Sequence, residues 1–367
     1  MSKVKIGIVG CGDISGIYLT NLTNMFTGVE IAGVCDLIDE RAQRAVTEYN
    51  LPKKYKDMHE LFADDNVDIV LNLTRPYEHH AVNMAAIAAG KHVYAEKPLG
   101  ATLEEGIESR NAAEKKGVML GGAPDTFLGA GIQTCRKLID DGYIGKPVAA
   151  NAFWGYRGHE SWHPDPEFYY QFGGGPMLDM GPYYVTALVS LLGAVETVSG
   201  MTRKTFETRR ITSAPKYGKV FDVEVPTLVT GQMSFANGAV GTIMQTYDIH
   251  AHNLPIIEIY GTEGTISVPD PNHFDGPVRL YRAESKAFME MPLTFDYPTN
   301  SRGLGVADMA ACISTKDKPR AGVELTFHVL EVMTAFIRSC EKKALVDITS
   351  KPNRPVPMKS GLLPGTV

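Results

Sequence analysis

Apolar residues in this chain follow two rhythms, and the rhythm changes near residue 123. Up to that point, short β-prone runs at residues 4–10, 30–35, 67–73, around Val93 and at 118–121 alternate with stripes of helical spacing. The stripes include Ile17, Leu19 and Leu22, the segment 39–49, and the series Ala81, Val82, Met84, Ala85, Ile87, Ala88. Strand and helix in strict alternation predict a mostly parallel, doubly wound sheet covered on both faces.

Beyond residue 123 the pattern is different. Helical spacing in Ile132, Leu138 and Ile139 stops at Asp141-Gly142, and β-like runs then dominate at 148–156, 195–206, 223–235, 239–249, 256–260 and 265–268. Turns such as Asn237-Gly238 and Glu263-Gly264 join them, which predicts a large, predominantly antiparallel sheet. One long helix, 176–192, interrupts it. Helices at 306–313 and 324–340 are expected to return over the sheet or over the first half, and the Pro-rich end after Thr349 reads as irregular. The expected organisation is therefore an α/β domain over 1–123 and an α+β domain over 124–367, consistent with a length of 367 residues.

Candidate chemistry gathers where the strands of the first half end. The first strand breaks into Gly10-Cys11-Gly12-Asp13-Ile14-Ser15, a glycine turn that brings backbone and a helix amino terminus up to a pyrophosphate in Rossmann domains. The second strand ends in Asp36, where a carboxylate meets the adenosine ribose. Asp36 would repel a 2′-phosphate, and Leu37-Ile38-Asp39 supplies no arginine to welcome one, so NAD is expected over NADP. The third strand leads into Thr74-Arg75-Pro76-Tyr77-Glu78-His79, and the fourth delivers Glu96-Lys97-Pro98 to the carboxyl edge where ligands sit in such sheets.

The glycine turn, the 74–79 turn, Ala89-Gly90-Lys91-His92 and Glu96-Lys97-Pro98 together resemble the Gfo/Idh/MocA oxidoreductase family, and the pattern covers essentially the whole chain. The resemblance implies that Lys97 is a catalytic or substrate-orienting group beside a nicotinamide, that the Lys97–Pro98 bond is cis, and that Glu96 and His79 line the cofactor cleft. It also implies pairing of second-domain sheets in a homodimer or homotetramer. The family commonly carries an aspartate and a histidine where this chain has Asp179 and Tyr183; the tyrosine resembles the subgroup of glucose-fructose oxidoreductase and dimeric dihydrodiol dehydrogenase.

Asp179 and Tyr183 are four residues apart and so are expected on one helix face beside Lys97. Ionising a free tyrosine at pH 7 costs about 4 kcal/mol. A neighbouring Lys97 ammonium and a cationic nicotinamide ring are expected to lower that cost, which assigns proton transfer to Tyr183 and orientation of the substrate hydroxyl or of Lys97 to Asp179. Residues 153–172 contain eight aromatic residues, Phe153, Trp154, Tyr156, Trp162, Phe168, Tyr169, Tyr170 and Phe172. With Arg157, His159 and His163 they read as a wall for a sugar ring, Trp154 and Trp162 supplying stacking faces and Arg157 and His163 polar contacts. Gly158, Pro164 and Pro166 make the segment a loop, and no metal site is expected there.

Composition narrows the field of partners. A formal charge of −6 and a pI near 6.0 give no basic footprint for nucleic acid. Met1-Ser2-Lys3 runs directly into a strand, no apolar run is long enough for a membrane span, and five unpaired-looking cysteines suggest reduced thiols, so a cytoplasmic location is expected. The expected function is hydride transfer between NAD and a secondary alcohol or ketone of a sugar, glycoside or polyol. Its rivals are glycoside cleavage by transient oxidation and a non-enzymatic, NAD-bound sugar sensor; retention of Lys97, Asp179 and Tyr183 together speaks against the sensor.

Overall fold

The computed structural model describes residues 3–367. Its first half is β1 (Val4–Val9), α1 (Ser15–Asn24), β2 (Val29–Cys35), α2 (Asp39–Tyr49), α3 (Met58–Ala63), β3 (Ile69–Asn72), α4 (His79–Ala88), β4 (His92–Ala95), α5 (Leu103–Lys116) and β5 (Leu120–Gly122). The five strands form one parallel sheet in the order β2-β1-β3-β4-β5. Helices on both faces explain why Ile69, Val70 and Leu71, and likewise Val93, Tyr94 and Ala95, are fully buried on consecutive positions rather than on alternate ones. The chain order reverses next to β1, so the carboxyl ends of β1 and β3 open the crevice in which such sheets bind ligands.

The second half adds α6 (Ala130–Asp140), β6 (Pro147–Gly155), a short 3-10 turn (Pro166–Tyr170), α7 (Pro176–Asp179), α8 (Gly181–Leu192), β7 (Val195–Arg203), β8 (Thr208–Arg210), β9 (Val220–Asp222), β10 (Leu228–Phe235), β11 (Val240–Thr246), β12 (Ile257–Gly261), β13 (Gly264–Val268), β14 (Val278–Arg282), β15 (Phe288–Met291), α9 (Leu304–Thr315), α10 (Val323–Lys342) and β16 (Val346–Asp347). Nine strands make a second sheet, β15-β14-β13-β12-β6-β11-β10-β7-β16, antiparallel at every pairing except β6 with β11. Strands β8 and β9 form a separate hairpin.

Helices α8 and α10 cover one face of the large sheet. Gly200 and Gly231 admit the Phe336 side of α10 so closely that a Cβ at either glycine would lie under 3 Å from it. Opposite, Met201 and Val240 remain exposed on a face that no element among the described residues covers. Helix α10 also packs on α5 and β5, and Gly121 bridges to Gly322, so the late helices return to the first half as expected.

Two expectations require correction. The helix 176–192 is two helices, because Pro182 has no amide hydrogen and the chain breaks at Met180 before restarting at Gly181. The run 239–249 ends as a strand at Thr246, and His250 and His252 lie in the exposed loop that follows. His328, by contrast, is buried in α10 as expected; it accepts from the Val195 amide at 3.0 Å and meets the Ser350 hydroxyl at 2.7 Å.

Candidate active site

The nucleotide half of the site is built from the ends of β1 to β4. Gly10 has φ of 100°, and a Cβ there would lie 2.8 Å from the Leu73 carbonyl oxygen, so the tight turn admits only glycine. A Cβ on Gly12 would meet nothing within 4 Å, so the backbone there is open for close approach by a ligand. Asp13 and Ile14 lie exposed beyond it, and Ser15 starts α1 while its hydroxyl bonds the Gly12 carbonyl at 2.6 Å. Asp36 at the end of β2 accepts from the Cys11 and Ile38 amides, each at 2.7 Å. Those bonds fix the carboxylate beside the glycine turn and leave further lone pairs for hydroxyl donors. Open glycine backbone, a helix amino terminus and a fixed carboxylate fit a dinucleotide.

Two neighbouring turns close this half. Thr74 is held by its hydroxyl on Asn72 at 2.6 Å, and Pro76 packs near Gly173 of the other half. His79 is fully buried with Nδ1 at 2.7 Å from the Pro98 carbonyl and Nε2 at 3.0 Å from the Thr74 carbonyl; burial lowers its pKa. Its ring lies between the two turns, and as a neutral imidazole it has one N–H to donate to one of these carbonyls. Glu96 accepts from the Tyr18 hydroxyl at 2.7 Å and the Lys97 amide at 3.0 Å. The Lys97–Pro98 bond is cis.

Lys97 projects past the carboxyl end of β4 to Asp179 at the end of α7. Its ammonium donates to the Asp179 carbonyl at 2.6 Å and to Oδ1 at 2.7 Å. The other carboxylate oxygen accepts from the Tyr247 hydroxyl at 2.9 Å and faces His159 Nε2 at 3.1 Å. Burial opposes the charge on both members of the pair, yet their mutual attraction dominates. Lys97 is held well above its ordinary pKa by Asp179, with Tyr183 and Glu96 adding to the effect, and Asp179 well below its own by Lys97 and His159. With three side-chain donors on one carboxylate, Asp179 is an anchor and a poor base.

Tyr183 lies in the first turn of α8 with its ring 5.2 Å from the Lys97 ammonium and its hydroxyl beside Arg302. Lys97 by itself does not depress its pKa. Burial raises it and outweighs the opposing pull of Lys97 and Arg302, so the free-standing site holds a protonated phenol. Arg302 comes from the segment before α9, which Asp125 pins by accepting from the Gly303 and Gly305 amides at 2.9 and 3.0 Å. Sequence reading missed Arg302, Tyr247 and the bond from His159 to Asp179, because these partners lie far apart in the chain and no local pattern marks them.

The aromatic segment resolves into distinct roles. Tyr169 stacks on His159 at 3.9 Å, Tyr247 and Trp162 meet it edge-on at 4.9 and 5.4 Å, and Trp154 lies parallel at 6.5 Å. Trp162 is 54% exposed at the mouth of the cleft, whereas Tyr170 is fully buried. Arg157 is not part of this cluster: it lies over Phe206, and its carbonyl accepts from Arg209 at 3.1 Å. His163 faces Asp13 at 3.9 Å, and its Nδ1 accepts from the Asp165 amide at 2.9 Å. Arg75 pairs with Asp165, which Lys216 and Arg75 hold at about 2 against the effect of burial. The loop thus crosses from the second half onto both turns that flank the glycine cradle.

Two family models match this architecture, the oxidoreductase family with an NAD-binding Rossmann fold over residues 4–122 and the GFO/IDH/MocA C-terminal domain over residues 132–267. The chain belongs to the Gfo/Idh/MocA family. Among its relatives, inositol 2-dehydrogenase of Salmonella typhimurium is 37% identical over 153 residues, 40% of this chain and 44% of that one, so the match spans less than half of that relative. Myo-inositol 2-dehydrogenase of Thermotoga maritima is 27% identical over 264 residues, 72% of this chain and 74% of its own. Among solved structures, an NAD-binding oxidoreductase from Klebsiella pneumoniae superposes with a TM-score of 0.82 at 23% identity, covering 95% of this chain and 100% of that one. Levoglucosan dehydrogenase in complex with NADH gives 0.82 at 20% identity, with 95% and 100% covered. At these identities the structural likeness speaks for the fold. Within the Gfo/Idh/MocA frame, the elements that carry Lys97, Asp179 and Tyr183 bring those three groups together.

Proposed function

We propose that this protein is an NAD-dependent oxidoreductase that interconverts a secondary alcohol and a ketone on a sugar, glycoside or polyol. The observation that carries the reading is the buried Lys97–Asp179 pair, 2.7 Å apart at the carboxyl end of β4, with the Tyr183 ring against it. Residues 1–123 hold the nucleotide and residues 124–367 the substrate. Gly10, Gly12, Asp13 and Ile14 receive the pyrophosphate, Asp36 the adenosine ribose, and the turn from Thr74 through Arg75 and Pro76 closes over it. NAD is preferred over NADP because Asp36 is anionic and no arginine follows it in Leu37-Ile38-Asp39.

The bound nicotinamide supplies hydride acceptance and donation at its C4. Lys97 uses two of its three N–H groups on Asp179 and keeps one for the substrate oxygen. Tyr183, protonated in the free protein, donates to that oxygen as a ketone is reduced and takes the proton back as an alcohol is oxidised. Trp154 and Trp162 flank the ring of the substrate, and the relatives' names, inositol dehydrogenases and a 1,5-anhydro-D-fructose reductase, support a cyclic polyol or pyranose. A second copy of the chain covers the open sheet face that bears Met201 and Val240, and no helix among the described residues is long and apolar enough to cross a membrane.

The test is NADH formation across myo-inositol, levoglucosan, glucose and glycosides, run beside Lys97→Ala and Tyr183→Phe. Turnover that falls about 100-fold or more in both variants, with NAD affinity kept, is the expected result. Sugar release without net NADH, or tight NAD binding with no turnover on any compound, would instead point to the cleavage or the sensor reading.

A further inference from the structure

Asp179 has more donors than an ion pair requires, and one of them is expensive. His159 is 6% exposed and comes from the loop between β6 and the 3-10 turn, not from a helix. Because Asp179 is ionised, the Nε2 that faces it at 3.1 Å carries the proton, which leaves Nδ1 as a bare acceptor. That Nδ1 is buried and has no partner. A buried, unpaired polar group is destabilising. A phenyl ring would occupy the slot against Tyr169, Tyr247, Trp162 and Trp154 without that cost. The bond to Asp179 is the interaction an imidazole makes here that a phenyl ring does not.

We propose that His159 is a positioning residue for the reaction at Lys97. Its Nε2–H fixes the Asp179 carboxylate so that Oδ1 alone faces the ammonium. Lys97 is thereby drawn to one oxygen and to the Asp179 carbonyl, and its third N–H stays directed at the substrate. With only Tyr247 left on Oδ2, the carboxylate can turn and offer both oxygens to Lys97, which pulls the ammonium off line. This inference rests on the oxidoreductase reading above.

The test uses His159→Phe, which keeps the ring and removes the donor, and His159→Gln, whose amide nitrogen can reach the place of Nε2. A displacement of about 1 Å in a positioned group costs on the order of 100-fold in rate. The expected result is that kcat for the panel compound turned over fastest by the unmodified protein falls by about that factor in the Phe variant. KM and the NAD dissociation constant stay within a few-fold, and the Gln variant recovers most of the rate. Equal losses in both variants, or full activity in the Phe variant, would overturn the proposal. A crystal structure of the Phe variant decides the same point without any substrate: a turned Asp179 carboxylate supports it, and an unchanged Lys97–Asp179 geometry refutes it. Absence of turnover by the unmodified protein would count against the oxidoreductase reading and leave this structural arm to decide His159.

Discussion

Replacing Asp179 by asparagine should make the protein gain stability, relative to the unmodified chain, as the pH is raised. At 2.7 Å and an effective dielectric of 20, suited to side chains that are 16% and 10% exposed, the Lys97–Asp179 attraction is about 6 kcal/mol. In the unmodified protein burial lowers the Lys97 pKa, but Asp179 and its neighbours reverse that and hold it raised. The stability Lys97 contributes is therefore complete below its unfolded pKa of about 10.4 and lost only as pH rises through the higher folded value. Asp179, held low, contributes stability that is complete above about pH 4 and lost as pH falls through its folded value. Between those limits the pair makes no pH-dependent contribution.

In the asparagine variant burial acts on Lys97 largely unopposed, and its folded pKa falls below the unfolded one. The unfolded chain then binds more protons than the folded chain, and stability rises with pH at up to about 1.4 kcal/mol per unit. Removing one member of a buried pair costs about 3–5 kcal/mol at neutral pH. The measurement is urea unfolding of both proteins at pH 7, 8.5 and 10, read as the difference between them so that other titrations cancel. The difference should narrow by more than 1 kcal/mol toward pH 10. A gap that stays constant would show that Asp179 is not what keeps Lys97 charged.

Other consequences follow from single positions. Gly10→Ala forces a Cβ to within 2.8 Å of the Leu73 carbonyl oxygen at φ of 100°; we expect a loss of about 2 kcal/mol or more in thermal unfolding and at least tenfold weaker NADH binding by fluorescence. Asp36→Ala removes the repulsion of a 2′-phosphate along with a ribose acceptor, so NADH affinity should drop about tenfold while NADPH affinity holds or improves, measured as two dissociation constants. Arg209, 4% exposed in its side chain, lies between Glu160 and Asp248; Arg209→Met strands both carboxylates and should cost about 3–5 kcal/mol in urea unfolding, loosening the loop that carries His159.

The strand ends that form the candidate nucleotide cradle were legible because their determinants are local. A glycine turn after an apolar run, a carboxylate at the end of the next strand and a lysine past the fourth are set by neighbours a few residues away, and each lies where a parallel sheet must present it. Lys97 and Asp179 could be named from the sequence for the same reason. The change from mixed to β-dominated rhythm was readable too, since it needs no knowledge of packing.

What Asp179 touches was not readable. Its partners come from 20, 68 and 82 residues away, and loop trajectory and sheet register decide their meeting. The helix break at Met180 depended on how Pro182 was accommodated, and the short strands β8, β9, β14, β15 and β16 carry too few residues for a clear alternation. The resemblance alone put His79 beside the cofactor, and nothing local in the sequence shows that its ring lies between two backbone carbonyls. The proton affinity of Tyr183 makes the same point in energetic form: sequence supplied the neighbouring cation, but only the three-dimensional packing supplied the burial that outweighs it. Local order along the chain determined which groups stand at the edge of the sheet, and tertiary enclosure decided which of them meet and which keep their protons.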